Sequence, residues 1–362
     1  MNKTKNNTLI SLWSMVKRNI KLYLNDKMMV FFSLLAPILI LLMYVLFFTD
    51  MQITSIELVL KDPEFAGVQL TAQQIRAVIN NWMIAGVIGI SCITVAFNAN
   101  TTMVRDRQYG NLNDVLASPV KRWMIYASYV ISCFLITAAI CVAVMLFALI
   151  FLACSGGFMM SFVDVLAIFG ILILSCISSA LFCTLFMGFI KSEGALSAVS
   201  GIFSAVVGFL VGAYLPMNMM PKAISYISAI LPGSYSIGLF RTIFLRGPID
   251  LLAGQLPENV LKILTDQYSL EMDFYGHSVS TGWMVFAVVL SIFLFVGIIL
   301  ILYSNKKTNF FTMAKRTKKR KKQNQQKNAN IDEKVDVGEA VVEVKEQKVE
   351  NEDEKKENKT CT

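Results

Sequence analysis

The sequence predicts an all-α polytopic membrane protein. It should have six transmembrane helices, an N-terminal interfacial helix and a re-entrant helical hairpin before the last span. Three observations carry that expectation. Hydrophobic residues make up 55% of the 362-residue chain and mean hydropathy is +0.58, a balance foreign to a soluble domain. The apolar residues gather in uncharged runs at 28–49, 77–104, 123–163, 165–190, 195–215 and 274–305. Each is long enough for a helix to cross a hydrocarbon core of about 30 Å. The basic residues, finally, are distributed unevenly between the two sets of loops.

With both termini in the cytoplasm, Lys3, Lys5, Lys17, Arg18, Lys21, Lys27, Arg105, Arg107, Lys121, Arg122 and Lys191 fall inside, with the sixteen basic residues of the tail. Only Lys61, Arg76, Lys222, Arg241, Arg246 and Lys262 fall outside. This is the bias that orients membrane helices. It also explains the net charge of +8: 17 basic and 14 acidic residues up to 305, then 16 basic and 11 acidic beyond. Such a charge reports orientation and tail chemistry rather than nucleic-acid binding.

The elements follow in order. In residues 1–27, Leu9, Leu12, Trp13, Val16, Ile20, Tyr23 and Leu24 share one helical face flanked by Lys17, Arg18 and Lys21, the pattern of a helix lying in the cytoplasmic interface. The transmembrane domain, 28–303, opens with a span at 28–48 that contains Pro37, a residue expected to kink it. The first run starts late and is long enough to anchor, so no cleavable signal is expected. A short acidic outer loop, 49–81, holds Asp50, Glu57, Asp62 and Glu64. Spans follow at 82–102, 124–153 and 163–189; Ser155, Gly156 and Gly157 divide the third from the fourth.

The fifth span, 195–215, leads into 216–245. Pro216, Pro221 and Pro232-Gly233 cut that stretch into pieces too short to cross. If 223–245 did cross, the basic tail would lie outside, so a re-entrant hairpin is expected. Non-helical backbone is tolerated at membrane depth only where protein or a cavity surrounds it, which makes this the expected pathway or outer gate. Gly208 and Gly212 form GxxxG, with Gly201 and Ser204 upstream, spacing that permits close helix approach. Phe209, Leu210, Val211 and Leu215 are the apolar groups expected to seal the gate by excluding water. Arg241 reads as an interfacial anchor. An outer loop, 246–281, is expected to carry a short surface helix with Leu256, Val260, Leu261 and Leu264 on one face, and His277 exposed. The last span is 283–303. The tail, 304–362, is basic up to Lys327, suited to anionic lipid, then rich in Glu and Lys and expected to be disordered.

Between the second and third spans stands MVRDRQYGNLNDVLASPVKRW, residues 103–123. Gly110 and Asn111 suit a turn and a helix N-cap, and Leu112, Val115 and Leu116 make a short apolar face before Pro119 stops the helix. That face suits insertion into a partner's groove; the residues alone fit a solvated connector equally well.

Residues 105–122, RDRQYGNLNDVLASPVKR, resemble the first cytoplasmic loop of type-2 ABC exporter permeases, commonly RE-x-x-G-T-x-x-x-L-x-x-P. The stretch 195–245 resembles that family's fifth helix and re-entrant hairpin, with its prolines at Pro216, Pro221 and Pro232. The resemblance covers roughly 9–303. The chain departs from it at Asp106, where Glu is common, and at Asn111 and Asn113, which replace Thr and Glu. The resemblance implies an exporter of two permease copies, or two related permeases, with two ABC ATPase subunits. The loop bearing Arg105, Asp106, Gly110, Leu112, Val115, Leu116 and Pro119 would receive the ATP-driven movement. The gate and hairpin would involve Gly208, Phe209, Leu210, Gly212, Leu215, Pro216, Pro221 and Pro232.

The chain contains no GxxxxGK[ST] loop and no Gly-Lys dipeptide. ATP and Mg²⁺ are therefore expected on the partner ATPase, with no cofactor, metal or catalytic residue on this chain. The span centres carry no charge, which argues against a proton-coupled carrier and suits an amphipathic or lipid-like compound: a drug, an antimicrobial peptide or a lipid-linked molecule. Six of the seven cysteines lie in or beside apolar spans without a CxxC pair, the pattern of small buried hydrophobes. The setting expected is a bacterial plasma membrane, with membrane lipids as neighbours and no nucleic acid. A membrane-embedded lipid-modifying enzyme, or a non-transport immunity or scaffold protein, is the alternative. The enzyme needs a charged or metal-binding cluster at the membrane face, and copurification of an ATPase separates both from a transporter.

Overall fold

The computed structural model describes residues 2–48, 53–54, 70–118, 120–215, 220–254, 261, 272–274 and 277–304. Pro119, Pro216, the acids of the 49–69 loop, Leu256, Val260, Leu264 and the tail beyond 304 lie outside the described residues, as does the His277 side chain. The protein is an all-α polytopic membrane protein. Among the described residues, four helices are long and apolar enough to cross a membrane: Ala72–Tyr109, Arg122–Cys154, Phe162–Phe189 and Thr281–Leu302. Two bent pairs bring the number to six if each counts as one span.

The first bent pair is α1 (Asn2–Asn25) and α2 (Lys27–Met43), turned by 77°. Asp26 makes the corner by accepting a hydrogen bond from the Met29 amide at 3.1 Å, an N-cap for α2. The face expected on α1 is divided between two surroundings. Val16 and Tyr23 are buried with Asn19, whereas Leu9, Trp13 and Leu24 stay exposed. One line of the helix packs on the bundle and the adjacent line faces away from it. Pro37 does not break α2, which runs through it to a π-helical turn at Tyr44–Phe48.

Helix α3 (Ala72–Ala99) is the central element, packed chiefly against α2 and three further helices. Every residue from Ala77 to Ile93 is buried, as expected of a helix apolar on all sides. It begins ten residues before the expected span. Thr71 and Gln74 form a capping box, and Asn81 does not interrupt the helix because its amide donates to the Ala77 and Gly157 carbonyls at 2.8 and 2.9 Å. Across Asn100 the rod continues as α4 (Thr101–Tyr109), followed by α5 (Asn111–Ala117), α6 (Arg122–Cys154) and α7 (Phe162–Phe189). Helix α6 stops where Gly156 takes a left-handed φ of +72°.

Helix α8 (Glu193–Leu210) is shorter than the 195–215 span expected. Gly212 adopts φ +70°, and the Ala213 amide bonds back to the Gly208 carbonyl at 2.9 Å, closing the helix. This is the glycine C-cap, and it leaves about 27 Å of helix. The second bent pair is α9 (Lys222–Ile230) and α10 (Pro232–Phe244), at 94°. Leu231 between them is extended, as the residue before proline prefers. Helix α10 is buried against α3, α7 and α12 (Thr281–Ser304). Helix α11 (Arg246–Ala253) follows α10. Not expected from the residue pattern is a short hairpin of β1 (Met272–Phe274) and β2 (His277–Val279), paired antiparallel with Asp273 opposite Ser278.

Candidate functional site

The central rod joins two groups of residues. One surrounds α4 and α5, the other surrounds Trp82. Trp82 and Asp106 are about 36 Å apart along the helix.

At the first group, Asp106 is 3% exposed. Its carboxylate accepts two hydrogen bonds from the Arg18 guanidinium, at 2.9 and 3.0 Å, one from the Tyr129 hydroxyl at 2.6 Å and one from the Asn111 amide at 3.2 Å. Four donors on a buried carboxylate offset its desolvation. Hydrogen bonding to Asp106 raises the Arg18 guanidinium above its ordinary range. Asn111 is therefore not the expected N-cap but the first residue of α5, its amide turned back to Asp106. Gly110, at φ +83°, closes α4 and opens α5.

Arg105 bridges two further elements, donating to Asp26 at 2.9 Å and Glu193 at 3.0 Å. The Arg105 hydrogen bond, reinforced by the Met29 amide, holds the Asp26 carboxyl below its usual range. Gln108 accepts a short hydrogen bond from the Glu193 amide, and the Tyr109 hydroxyl donates to the Glu193 carboxylate at 2.7 Å. Arg107 donates to the Gly188 and Ile190 carbonyls. The corner of α1–α2, the rod and the start of α8 are thus tied at one place. Arg105 and its two partners are each about a third or more exposed, so these pairs fix geometry more than they stabilise.

The apolar face expected on α5 is only partly available. Leu112 is 4% exposed and packs inward, because the Gly110 turn and the Asn111–Asp106 bond rotate that side of the helix onto the chain. Val115 and Leu116 remain half-buried, with Asp114, Ala117 and Tyr109 exposed beside them.

At the second group, the residues expected to form the gate separate into distinct roles. Gly212 is the cap of α8 rather than half of a helix-packing pair; sequence could not distinguish these, because both uses favour glycine. Gly208 does make a close approach: a Cβ there would lie 2.1 Å from the Tyr214 ring and 2.7 Å from Ile90. Gly201 faces open space. Phe209 is 46% exposed, its ring edge-on to Tyr214 at 5.2 Å. Val211 packs with Ile90, Ile93, Val207, Ala213 and Ile237, and Leu215 is half-buried. Leu210, Val211 and Pro232 line a cavity of about 310 Å³ with Phe182, Phe186 and Phe203. Pro221 is exposed at the start of α9.

Arg241 is fully buried, which corrects its reading as an interfacial anchor. Its Nη2 donates to the Gly212 and Ala213 carbonyls at 2.6 and 3.3 Å, and its guanidinium sits 4.1 Å from the Trp82 ring centre. These carbonyls lie just beyond the C-terminus of α8, the end of a helix where a cation is received favourably. The Tyr44 hydroxyl donates to the Tyr214 carbonyl at 2.9 Å beside it. Arg241 thus clasps the end of α8 to α3 and α10. Its place as the one charge in residues 223–245 singled it out in the sequence but suits an interfacial anchor equally well.

The family model for ABC-2 type transporter matches residues 10–245, an interval that includes both groups. No curated protein matches the chain. With its bundle of membrane-crossing helices and a family match over most of its length, the chain belongs to the ABC-2 type transporter family and is the membrane permease subunit of an ABC transporter.

Proposed function

We propose that this permease is the membrane half of an ATP-driven exporter. It moves an amphipathic or lipid-like compound outward, and a separate ATPase subunit holds ATP and Mg²⁺. The observation that carries the reading is the mounting of α5. A seven-residue helix follows a single left-handed glycine on the end of the central rod, and the Asp106 network braces it. Exposed Asp114 and Ala117, the half-buried Val115 and Leu116, and Tyr109 at the end of α4 make up the surface offered to an ATPase groove. Displacement there moves the rod, and the rod carries Trp82 and Gly86 against the clasp at Arg241 and Ala213. The aromatic and aliphatic lining of the 310 Å³ cavity suits an apolar portion of the cargo.

The Lys and Arg bias places both termini and α5 in the cytoplasm, and the turn at Gly212 on the outer side of a bacterial plasma membrane. The pair α9–α10 is then re-entrant. Two copies of the permease, or this one with a related permease, assemble with two ATPase subunits. An enzyme or scaffold gives no reason for a braced helix at this position. Affinity purification of the tagged chain from its native membrane in mild detergent tests the reading. A stoichiometric ABC ATPase is expected in the eluate, and an eluate without one contradicts the exporter.

A further inference from the structure

The bundle brings together three thiols that are far apart in sequence. Cys92 comes from α3, Cys141 from α6 and Cys176 from α7, and each is at most 1% exposed. Their Sγ atoms all lie within 4.8 Å of one another, and those of Cys92 and Cys176 are 3.9 Å apart. Three sulfurs placed at a bond length of about 2.3 Å around a trigonal ion are about 4.0 Å from each other. The cluster is therefore close to the spacing a three-sulfur site requires.

We propose that Cys92, Cys141 and Cys176 form a binding site for a soft monovalent metal ion of the Cu(I) or Ag(I) class. The donor set selects for softness, because three thiols with no oxygen or nitrogen ligand favour thiophilic ions. Coordination number argues against zinc, which takes four ligands in closed sites. Among the described residues no fourth His, Cys, Asp or Glu joins the three. The bonded sulfurs are thiolates, so uptake of the ion displaces the thiol protons to solvent. The ion would bond to three different helices at once and pin α3, the rod of the proposed coupling path, to α6 and α7.

The test uses the full-length protein purified in detergent and kept reduced and anaerobic, with Cu(I) presented through a chromophoric chelator. The parent is expected to withdraw one equivalent per chain, to show three sulfur neighbours at about 2.3 Å by X-ray absorption, and to melt at a higher temperature when loaded. Two variants decide the assignment. Cys133→Ala/Cys154→Ala/Cys183→Ala/Cys361→Ala keeps only the cluster and must bind one equivalent. Cys92→Ala/Cys141→Ala/Cys176→Ala must bind none. Failure of the parent or the cluster-only variant to take up Cu(I) overturns the proposal, even if the cluster-free variant does not fold. Retention of the equivalent in a folded cluster-free variant overturns it as well.

Discussion

Replacing Gly86 by alanine is expected to lower the melting temperature of the purified protein by on the order of 5 °C relative to Gly170→Ala, which should hold it or raise it slightly. A Cβ at Gly86 would lie 2.6 Å from the Ala213 carbonyl oxygen. That oxygen belongs to the backbone just after the α8 cap, and it already accepts from Arg241. Neither side can yield cheaply. The central helix is buried all around, and moving Ala213 loosens the clasp. Overpacking of this kind costs about 1–3 kcal/mol, and a middle value corresponds to that shift for a domain of this size. At Gly170 an added Cβ meets nothing within 4 Å, so it controls for the intrinsic gain from replacing a helical glycine. Intrinsic tryptophan fluorescence during heating reads both variants. Equal melting temperatures would show that α3 and the α8 turn are not in rigid contact.

Arg18→Met is expected to destabilise by about 3 kcal/mol, the lower end for removing one member of a buried pair, since Arg18 itself is partly solvated. It leaves the Asp106 carboxylate buried, with only the neutral donors of Tyr129 and Asn111. Arg18→Lys should fall between, because an ammonium retains the charge but not the two parallel hydrogen bonds seen at 2.9 and 3.0 Å. The double variant Arg18→Met/Asp106→Leu should be more stable than Arg18→Met alone, because the stranded charge has gone with its partner. Unfolding followed in the same way measures all three. A double variant no more stable than the single would contradict a stranded, penalised Asp106 charge.

Some of this was legible in the sequence because it rests on local rules. Gly110 marked the turn before α5, and Gly156 and Pro232 marked breaks, since left-handed backbone and proline leave few alternatives. What sequence did not reveal depends on three-dimensional assembly. Arg18 and Asp106 are 88 residues apart, and nothing in either neighbourhood names the other. Arg241 sits among apolar residues, a pattern shared by interfacial anchors and buried cations; only the free carbonyls beyond α8 decide between them. Leu112 looked like part of an outward face because periodicity shows that residues share a face, not which way the face is turned. The three cysteines lack any spacing motif, as each comes from a different helix.

If α5 couples an ATPase to the permease, Leu116→Asp should break that coupling. Leu116 is only half-buried on α5 and makes none of the hydrogen bonds of the Asp106 network, so the variant should insert and melt close to the parent. A carboxylate pressed into an apolar groove without a partner is penalised. ATP-driven export should be measured in proteoliposomes containing the variant permease and the ATPase that copurifies with the parent. The variant should lose at least nine-tenths of transport, roughly the tenfold change that 1.4 kcal/mol of lost docking produces, with normal thermal stability. Transport at the parental rate would contradict the coupling and reduce α5 to a connector.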